Sequence, residues 1–464
     1  MVRYCLQVIH GVKLKKKSMS QNEETNESGL EHTDVAEVRS ASKGALGVIF
    51  LTVFIDLLGF GIVLPLLPLY ADIFGTDPSG IVIGMLMACF SIMQFIFAPI
   101  WGAISDRIGR RPVIIIGLAG SVVFYTLFGI AAIYQSLFGL FVTRIGAGIA
   151  GATIPTAQAY IADTTTKENR TRGMALIGIA FGLGFTLGPL FAFFAVPQEI
   201  AVEAGAEVSQ LGDPGAGPGF VAAGLSAIAL LLAIFRLPES HHPGQGKSGN
   251  TRKWFDLSAW KTAVSNPAMA YLLLGFFVCI FSFANFETTL SMLIKGSKSF
   301  EDAPFNFSFK QVCLTFAMIG FMVAVVQGGL VRRLSKKISE KNLAVGGALI
   351  ELVGFGILAY SVKIASVPWL FAALAVVVAG YSCMQPSLYS LVSRWSDPKQ
   401  QGKALGVSQS VSAMARIFGS ALGIPMLKAF VFLPYIVASV LMLVVAVLIA
   451  IACRTGEDFS EQSS

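Results

Sequence analysis

Apolar residues dominate the chain in long runs, separated by short polar stretches that hold most of the charged residues. A helix needs roughly 20 apolar residues to cross the hydrocarbon core of a bilayer, and twelve runs meet or approach that length. The weakest break, between the third and fourth runs, is the stretch Tyr134–Ser136. We therefore expect an all-α membrane protein with twelve transmembrane helices, numbered spans 1 to 12. The predicted spans cover residues 46–70, 81–104, 113–134, 136–161, 173–196, 219–235, 268–294, 311–331, 343–362, 367–393, 404–427 and 430–452.

The second half of this pattern repeats the first. Aligning Tyr160 with Tyr389 also aligns Gly173 with Gly402, and it pairs spans 1–6 with spans 7–12 in order. Because each half holds an even number of spans, the two halves have the same orientation, as parallel repeats do. We therefore predict two parallel six-helix repeats. The predicted units are a disordered arm over 1–43, a first half over 44–236, a linker over 237–266, a second half over 267–453 and a tail over 454–464.

The basic residues orient these spans. Of the 34 lysines and arginines, 27 lie in the two terminal segments and in the loops after even-numbered spans, whereas five lie in the loops after odd-numbered spans. Cytoplasmic loops carry the excess of Lys and Arg, so both termini are predicted to be cytoplasmic. The net charge of +7 then reflects membrane orientation, and we expect no nucleic-acid partner.

Composition narrows the function classes. Hydrophobic residues make up 55% of the chain and charged residues 13%, about half the usual quarter for soluble proteins, which excludes a soluble enzyme. The six cysteines have no metal-ligand spacing, and the four histidines lie outside the apolar runs. The chain contains no Gly-x-x-x-x-Gly-Lys-Ser/Thr sequence for binding a nucleotide. We therefore expect no enzymatic activity, no metal and no cofactor.

Five charged residues fall inside the apolar runs, namely Asp56, Arg144, Glu287, Glu351 and Arg416. A charge near mid-membrane is unfavourable by about 3 kcal/mol or more, so such a residue usually faces a partner or a watery cavity and is functional by default. Asp56 and Glu287 lie at nearly matching positions of spans 1 and 7, and each is a candidate proton carrier. Glu351 and Arg416 are interpreted as packing or lipid-interface charges.

The loop between spans 2 and 3 carries the most specific motif. It reads Gly102-Ala-Ile-Ser-Asp106-Arg107-Ile-Gly109-Arg110-Arg111 and resembles the G-x-x-x-D-R-x-G-R-R/K motif of the major facilitator superfamily. A carboxylate at Asp106 can pair with an arginine or with a helix N-terminus. The resemblance implies that the six named residues form a conformational latch. The alternative is a basic loop that only orients the chain, with Asp106 solvated.

Three further motifs resemble the twelve-helix drug:proton antiporter group of that superfamily. Span 1 contains Asp56-Leu-Leu-Gly-Phe-Gly61, span 4 contains Arg144-Ile-Gly-Ala-Gly148, and span 5 contains Gly184-Phe-Thr-Leu-Gly188-Pro189. The last motif usually closes with Gly-Gly, where this chain has Ala192-Phe193. Together with Ala159–Asp163, these motifs make the first half similar to tetracycline-resistance exporters.

The resemblance also implies a central cavity lined by helices 1, 4, 7 and 10. Asp56, Arg144 and Glu287 would then form a triad for protons and substrate. The alternative for Asp56 and Arg144 is a structural pair whose charges neutralise each other. Further polar residues of the spans are candidate cavity hydrogen-bonders or interhelical contacts, and these are Gln94, Gln158, Asn285, Tyr381 and Gln385.

The resulting hypothesis is a secondary active transporter that exports an amphipathic organic compound, a tetracycline-like drug, in exchange for protons. Two alternatives remain open. One is a proton-coupled symporter that imports a sugar or an organic acid, and the other is a membrane receptor or scaffold without transport. The expected partners are a small-molecule substrate, protons and the lipid bilayer. We expect a monomer in a plasma membrane, of the bacterial inner-membrane kind.

Overall fold

The computed structural model describes residues 44–75, 77–165, 170–197, 214–240, 261, 265–296, 303–335, 337–396 and 401–455. Within these ranges it contains twelve helices that are long and apolar enough to cross a membrane. This confirms the predicted number of spans. Spans 1 to 12 run over Gly44–Val63, Ile81–Ile108, Arg110–Ile133, Leu137–Thr164, Leu176–Ala195, Gly217–Arg236, Pro267–Lys295, Phe309–Leu334, Glu340–Lys363, Val367–Arg394, Ala404–Ala429 and Leu433–Arg454.

The predicted first span is longer than the helix that forms. A turn at 64–66 interrupts the apolar run 46–70, and a short helix, Leu67–Phe74, follows it. Pro65 and Pro68 account for this break, because proline lacks the backbone N–H of a helix interior but is tolerated in a first helical turn. Span 1 therefore reaches the membrane surface through two helical segments.

Two other spans are also irregular. Span 4 consists of the helices Leu137–Ala150 and Ile154–Thr164, joined by a turn. Span 8 passes through a π-helical stretch over Val326–Val331. Spans 3 and 4 separate where the sequence predicts, and the hydroxyl of Ser136 accepts a hydrogen bond from the Gly139 N–H as an N-cap.

Helix packing repeats between the halves. Span 3 packs on span 6 as span 9 packs on span 12, and span 2 contacts span 4 as span 8 contacts span 10. Between the halves, span 2 packs on span 11, and span 5 packs on span 8. Spans 2 and 5 of the first half correspond to spans 8 and 11 of the second, so the repeat relates these two contacts to each other. The architecture is therefore two parallel six-helix repeats, as predicted. The predicted arm, most of the linker and the tail lie outside the described residues, and the unit boundaries stay a prediction.

The two halves are in contact at one face of the bundle. We call the face where span 1 begins and span 12 ends the terminal face, and the opposite one the far face. In the far-face portions, Gly84 lies directly against Ala421, and Gly320 lies against Thr186. The portions of spans 2, 5, 8 and 11 nearer the terminal face are not in contact across the halves. Four glycines in these portions show this, because a Cβ added to any of them would meet no neighbouring helix within 4 Å. They are Gly102, Gly178, Gly328 and Gly406. The cleft between the halves therefore opens at the terminal face.

Spans 1 and 5 approach closely through two glycines. A Cβ added to Gly188 would lie 2.6 Å from the Cα of Gly61, and one added to Gly61 would lie 2.6 Å from the carbonyl oxygen of Gly184. Small residues allow such backbone contact between membrane helices. The two glycines of the span 5 motif, Gly184 and Gly188, thus both pack against span 1.

We predict that Gly188→Val destabilises the protein, because the added carbons would collide with the backbone of span 1. Overpacking of this kind is unfavourable by about 1–3 kcal/mol, and the melting temperature of the purified protein in detergent measures it. Gly182→Val in the same span is the matched control, because a Cβ there meets no atom within 4 Å. Equal melting temperatures for the two variants would contradict the packing role of Gly188.

Candidate functional site

Asp56 lies inside span 1 and is oriented toward the interior of the first half. The hydroxyl of Ser121 on span 3 is its hydrogen-bonding neighbour. The other carboxylate oxygen, Oδ1, is buried and has no hydrogen-bond partner. One turn earlier, the buried hydroxyl of Thr52 is also without a partner. A buried polar group without a partner is unfavourable, so this part of span 1 is arranged for something other than stability.

Arg144 on span 4 is almost completely buried, with 2% of its surface exposed. Its guanidinium carbon lies 4.4 Å from the ring centroid of Phe90 and 5.6 Å from that of Phe60. These distances correspond to cation–π contacts, which strengthen when water is excluded. Its Nε and Nη1 atoms have no hydrogen-bond partner. The positive charge is therefore stabilised by aromatic faces of spans 1 and 2.

Asp56 and Arg144 share a neighbour, Tyr125, without forming an ion pair with each other. Tyr125 on span 3 interacts electrostatically with both, and it is itself buried. The salt bridges among the described residues do not include either charge. The two therefore do not form the close structural pair that the sequence left open, and they make up one cluster with Ser121 and Tyr125.

Glu287 belongs to a second cluster, in the other half. The charged group that acts on it electrostatically is Arg416 of span 11. Tyr381 of span 10 interacts with both residues and stacks on Phe283, with 3.7 Å between the ring centroids. No hydrogen bond or ion pair in the described ranges joins Glu287 to Asp56 or Arg144. The three predicted triad members thus occupy two clusters, one in each half.

Sequence reasoning gave too little weight to Arg416 and Glu351. Arg416 acts electrostatically on Glu287 of span 7. The sequence places an intramembrane arginine and an intramembrane acid in the same half, and this could have indicated that they interact. Glu351 is fully buried, and neither of its carboxylate oxygens has a hydrogen-bond partner. A Cβ added to Gly380 of span 10 would lie 2.8 Å from the Cβ of Glu351. Glu351 therefore lies between helices inside the second half and not at the lipid interface.

The candidate cavity hydrogen-bonders have different surroundings. Gln94 donates a hydrogen bond to the Gly151 carbonyl, 3.3 Å away, across spans 2 and 4, and Gln385 accepts one from Gln327 at 3.5 Å. Both therefore make interhelical contacts. Asn285 is 2% exposed, and neither atom of its amide has a partner. Gln158 is half-buried, on the second helix of span 4.

The latch motif surrounds Arg110, which is 8% exposed at the start of span 3. Its guanidinium forms ion pairs with Asp106 and with Asp163 of span 4, the latter at 3.1 Å, and donates a hydrogen bond to the Ser105 hydroxyl at 2.6 Å. Asp106 is half-exposed, at 39% of its side chain, and Arg107 is exposed. All these partners belong to the first half, so in this conformation the motif holds spans 2, 3 and 4 together.

Glu239 completes this cluster, and the sequence analysis missed it because it lies in the predicted linker. Its two carboxylate oxygens accept hydrogen bonds from the backbone N–H groups of Arg110, at 2.9 Å, and Arg111, at 3.2 Å. A carboxylate at a helix N-terminus satisfies free N–H groups and the helix dipole. Gly109 has a φ of 104°, and a Cβ there would lie 2.5 Å from a Glu239 oxygen. Position 109 therefore requires glycine for two reasons. Its φ is one that other residues rarely adopt, and a side chain would collide with Glu239.

Twelve spans in two repeats, a cleft open at one face and charged clusters inside each half define a membrane transporter. The chain matches the Major Facilitator Superfamily over residues 49–350 and 305–462. It therefore belongs to this superfamily, a family of transporters of small molecules, and it is a multi-pass membrane protein.

Its relatives include drug-resistance proteins. The chain is 31% identical to the class C tetracycline resistance protein of Escherichia coli, over 82% of this chain and 88% of the relative. It is 29% identical to the bovine major facilitator superfamily domain-containing protein 10, over 81% and 85%. The crystal structure of the human organic anion transporter MFSD10 superposes with a TM-score of 0.62 at 25% identity, over 88% of this chain and 99% of that one.

More distant structures share the fold alone. A bacterial homologue of the lysosomal transporter Spinster, in an inward-facing and unoccupied conformation, superposes with a TM-score of 0.67 at 15% identity, over 89% of this chain and 97% of that one. The resemblance to this superfamily and to tetracycline-resistance proteins, inferred from motifs in the first half, is confirmed.

We predict that Glu239→Ala lowers the stability of the protein by about 1–2 kcal/mol, because two N–H groups at the start of span 3 lose their acceptor. Thermal unfolding in detergent measures the change. Ser240→Ala is the control, since the Ser240 hydroxyl has no hydrogen-bond partner. A melting temperature of Glu239→Ala that equals that of the control would disprove the capping role.

Proposed function

We propose that this chain exports an amphipathic organic compound, tetracycline-like in character, in exchange for protons. The observation that carries the proposal is the buried Oδ1 of Asp56, which lacks a partner inside span 1 of a transporter fold. The similarity to tetracycline resistance proteins supports the substrate class and the direction. The Gly184–Pro189 motif, which resembles that of antiporters, supports export as well.

The excess of basic residues at the terminal face supports a cytoplasmic location for that face. We propose that the described conformation is therefore open to the cytoplasm, in a bacterial inner membrane. A substrate would enter the cleft from that side and leave after the halves rock to open the far face. The chain is proposed to act as a monomer, because its two halves together enclose a single cleft and each half holds its own charged cluster.

Protons drive the cycle through differential affinity. A ligand shifts the balance between two conformations only by binding one of them more tightly. In the proposal, Asp56 takes up a proton from the far side, which removes a negative charge from the interior of the first half and favours the state that releases the substrate. Deprotonation at the terminal face restores that charge. Arg144, which shares the neighbour Tyr125 with Asp56, supplies a positive charge in the same half, and Glu287 with Arg416 forms the corresponding group of the second half.

The latch motif contributes to the choice of conformation. In the described state Asp106 pairs with Arg110 of its own half. We propose that Asp106 exchanges this partner for a group of the second half when the terminal face closes. Asp106 is half-exposed, and an ion pair that solvent reaches stabilises weakly, so the exchange is compatible with repeated cycling.

Transport by reconstituted protein tests the proposal. Proteoliposomes with an imposed pH gradient are supplied with tetracycline, and its movement is followed by fluorescence. Antiport moves tetracycline against the direction of proton flow. Symport moves it with the protons, and a scaffold moves none. Either of the last two results would overturn the proposed function for this probe.

We predict that Asp56→Asn abolishes gradient-driven flux, because an amide cannot take up and release a proton. Exchange of labelled for unlabelled tetracycline without a gradient should continue, since it requires only alternating access. Glu340→Gln is the matched control, because this acid lies at the start of span 9 and pairs with Arg394 away from both clusters. Undiminished gradient-driven flux in Asp56→Asn would remove Asp56 from the mechanism.

A second prediction concerns the pair in the other half. Arg416→Met leaves Glu287 without its opposite charge, and an uncompensated buried charge is strongly unfavourable. We expect Arg416→Met to reduce substrate exchange more than the double variant Glu287→Gln/Arg416→Met does. The half-buried pair Arg394–Glu340, which lies away from both clusters, is treated in the same way as the control and should show weaker coupling. Equal effects of the single and double variants would show that the two residues act independently.

A further inference from the structure

One face of span 1 is directed into the interior of the first half. Asp56 is on this face, and its hydrogen-bonding neighbour is the hydroxyl of Ser121 on span 3. Gly59, one turn further along, is on the same face. A Cβ added there would lie 3.2 Å from the ring of Tyr125 on span 3 and 3.3 Å from the hydroxyl oxygen of Ser226 on span 6. Spans 3 and 6 pack on each other within the first half, so this inner face of span 1 is enclosed by that half.

The face of span 1 that packs on span 5 is a different one. Leu57 and Gly61 lie directly against Gly184 of span 5, and span 5 in turn packs on span 8 of the second half. Successive residues of an α-helix are separated by about 100° around its axis. Asp56 is therefore turned away from the helix face that leads to the boundary between the halves.

Two buried hydroxyls on the inner side of span 1 have no hydrogen-bond partner. Thr52 lies one helical turn before Asp56 and is 1% exposed, and Ser226 is 0% exposed. Neither Oγ1 of Thr52 nor Oγ of Ser226 has a partner, and Oδ1 of Asp56 also lacks one. A buried polar atom without a partner is unfavourable. Three such oxygen atoms along one side of a single helix therefore indicate a function that requires them.

These oxygen atoms follow one another across the membrane. Thr52 is nearer the terminal face than Asp56, whereas Ser226 lies beside Gly59, which is nearer the far face. Side chains four residues apart on a helix have their Cβ atoms about 5–6 Å from each other. One water molecule that bonds to both side chains spans such a gap, and buried water is held by polar groups of this kind. The two hydroxyls are thus placed to hold water on either side of Asp56.

We propose that Thr52 and Ser226 are positioning residues of a proton route through the interior of the first half, separate from the cleft that the substrate occupies. This inference rests on the proposed function, in which Asp56 takes up the proton, and it adds the path. On the far side, a hydronium held by Ser226 gives a proton to Oδ1 of Asp56, so that one O–H bond breaks, another forms and neutral water remains. On the terminal side, Asp56 returns a proton to water held by Thr52, and hydronium forms there.

A separate route has a consequence for coupling. Proton and substrate occupy different spaces, so the proton does not displace the substrate directly. Each instead shifts the balance between the two conformations by binding one of them more tightly. Loss of a hydroxyl from the route should therefore slow proton-driven transport without changing the affinity for the substrate.

The hydroxyl of Thr52 is tested with two variants of the full-length protein in proteoliposomes. Thr52→Val keeps the shape of the side chain and removes the hydroxyl, whereas Thr52→Ser keeps the hydroxyl. Thr52→Val should slow gradient-driven tetracycline flux by roughly tenfold, the effect of one lost hydrogen bond to a charged group, and Thr52→Ser should stay near the parent rate. Exchange of labelled for unlabelled tetracycline without a gradient should keep its rate and its half-saturating concentration in both variants.

Ser226→Ala tests the other side of Asp56 and should slow driven flux in the same way. The matched control is Ser282→Ala on span 7, because Ser282 is also 0% exposed and its hydroxyl also lacks a partner, but it lies in the second half. Driven flux in this control should equal that of the parent. In D2O, the driven flux of Thr52→Val and Ser226→Ala should fall by a larger factor than that of the parent, because proton transfer then limits the rate.

The outcomes separate the route from a structural effect and from the proposed function. Melting temperatures measured in detergent establish that each variant is folded. Parental driven flux in folded Thr52→Val and Ser226→Ala would overturn the route, and so would an equal loss of driven flux and exchange. If Asp56→Asn abolishes driven flux while these two variants do not slow it, only the route fails. Absence of tetracycline antiport in the parent would overturn both proposals.

Discussion

The constraint on which this structure depends is that a charge inside a bilayer needs a partner or water. Each intramembrane charge meets that constraint differently. Arg144 lies over aromatic rings, Glu287 faces an arginine of another span, and Lys428 pairs with a buried aspartate across the halves. Asp56 meets it only in part, because one carboxylate oxygen has no partner. Glu351 meets it least, since neither of its carboxylate oxygens has a partner, and Asp56 is the candidate for proton exchange because it also lies in the span 1 motif that resembles the antiporter group.

The ionic contacts at the two faces differ in whether they join residues of one half or of both halves. At the terminal face, Arg110 binds acids of spans 2 and 4 and thus stays within the first half. At the far face, Lys428 crosses from the second half to the first. The side that is closed therefore carries the ionic contact between halves, and the side that is open carries ionic contacts within one half. In the proposed rocking motion, only contacts across the halves would change, so this division is the one that the proposed cycle requires.

The proposed site could be predicted in part. Asp56, Arg144 and Glu287 were identifiable because a charge in an apolar run is conspicuous. Their grouping was not, since a linear sequence does not say that Tyr125 interacts with both Asp56 and Arg144 or that Arg416 acts on Glu287. Glu239 was missed for another reason. It lies beyond the apolar run of span 6, and only the folding of spans 3 and 6 together brings its carboxylate to the start of span 3.

The sequence by itself determined the number of spans, their repetition and the superfamily, because each depends on apolar length or on a local motif. The tertiary structure decided which face of the cleft is closed, which charges are paired and which carboxylates are left without partners. These depend on contacts between helices far apart in the chain, such as Gly84 against Ala421 or Lys428 against Asp72. Hydrophobic length places a helix in the membrane, but the rotation and depth of each helix are set by its neighbours.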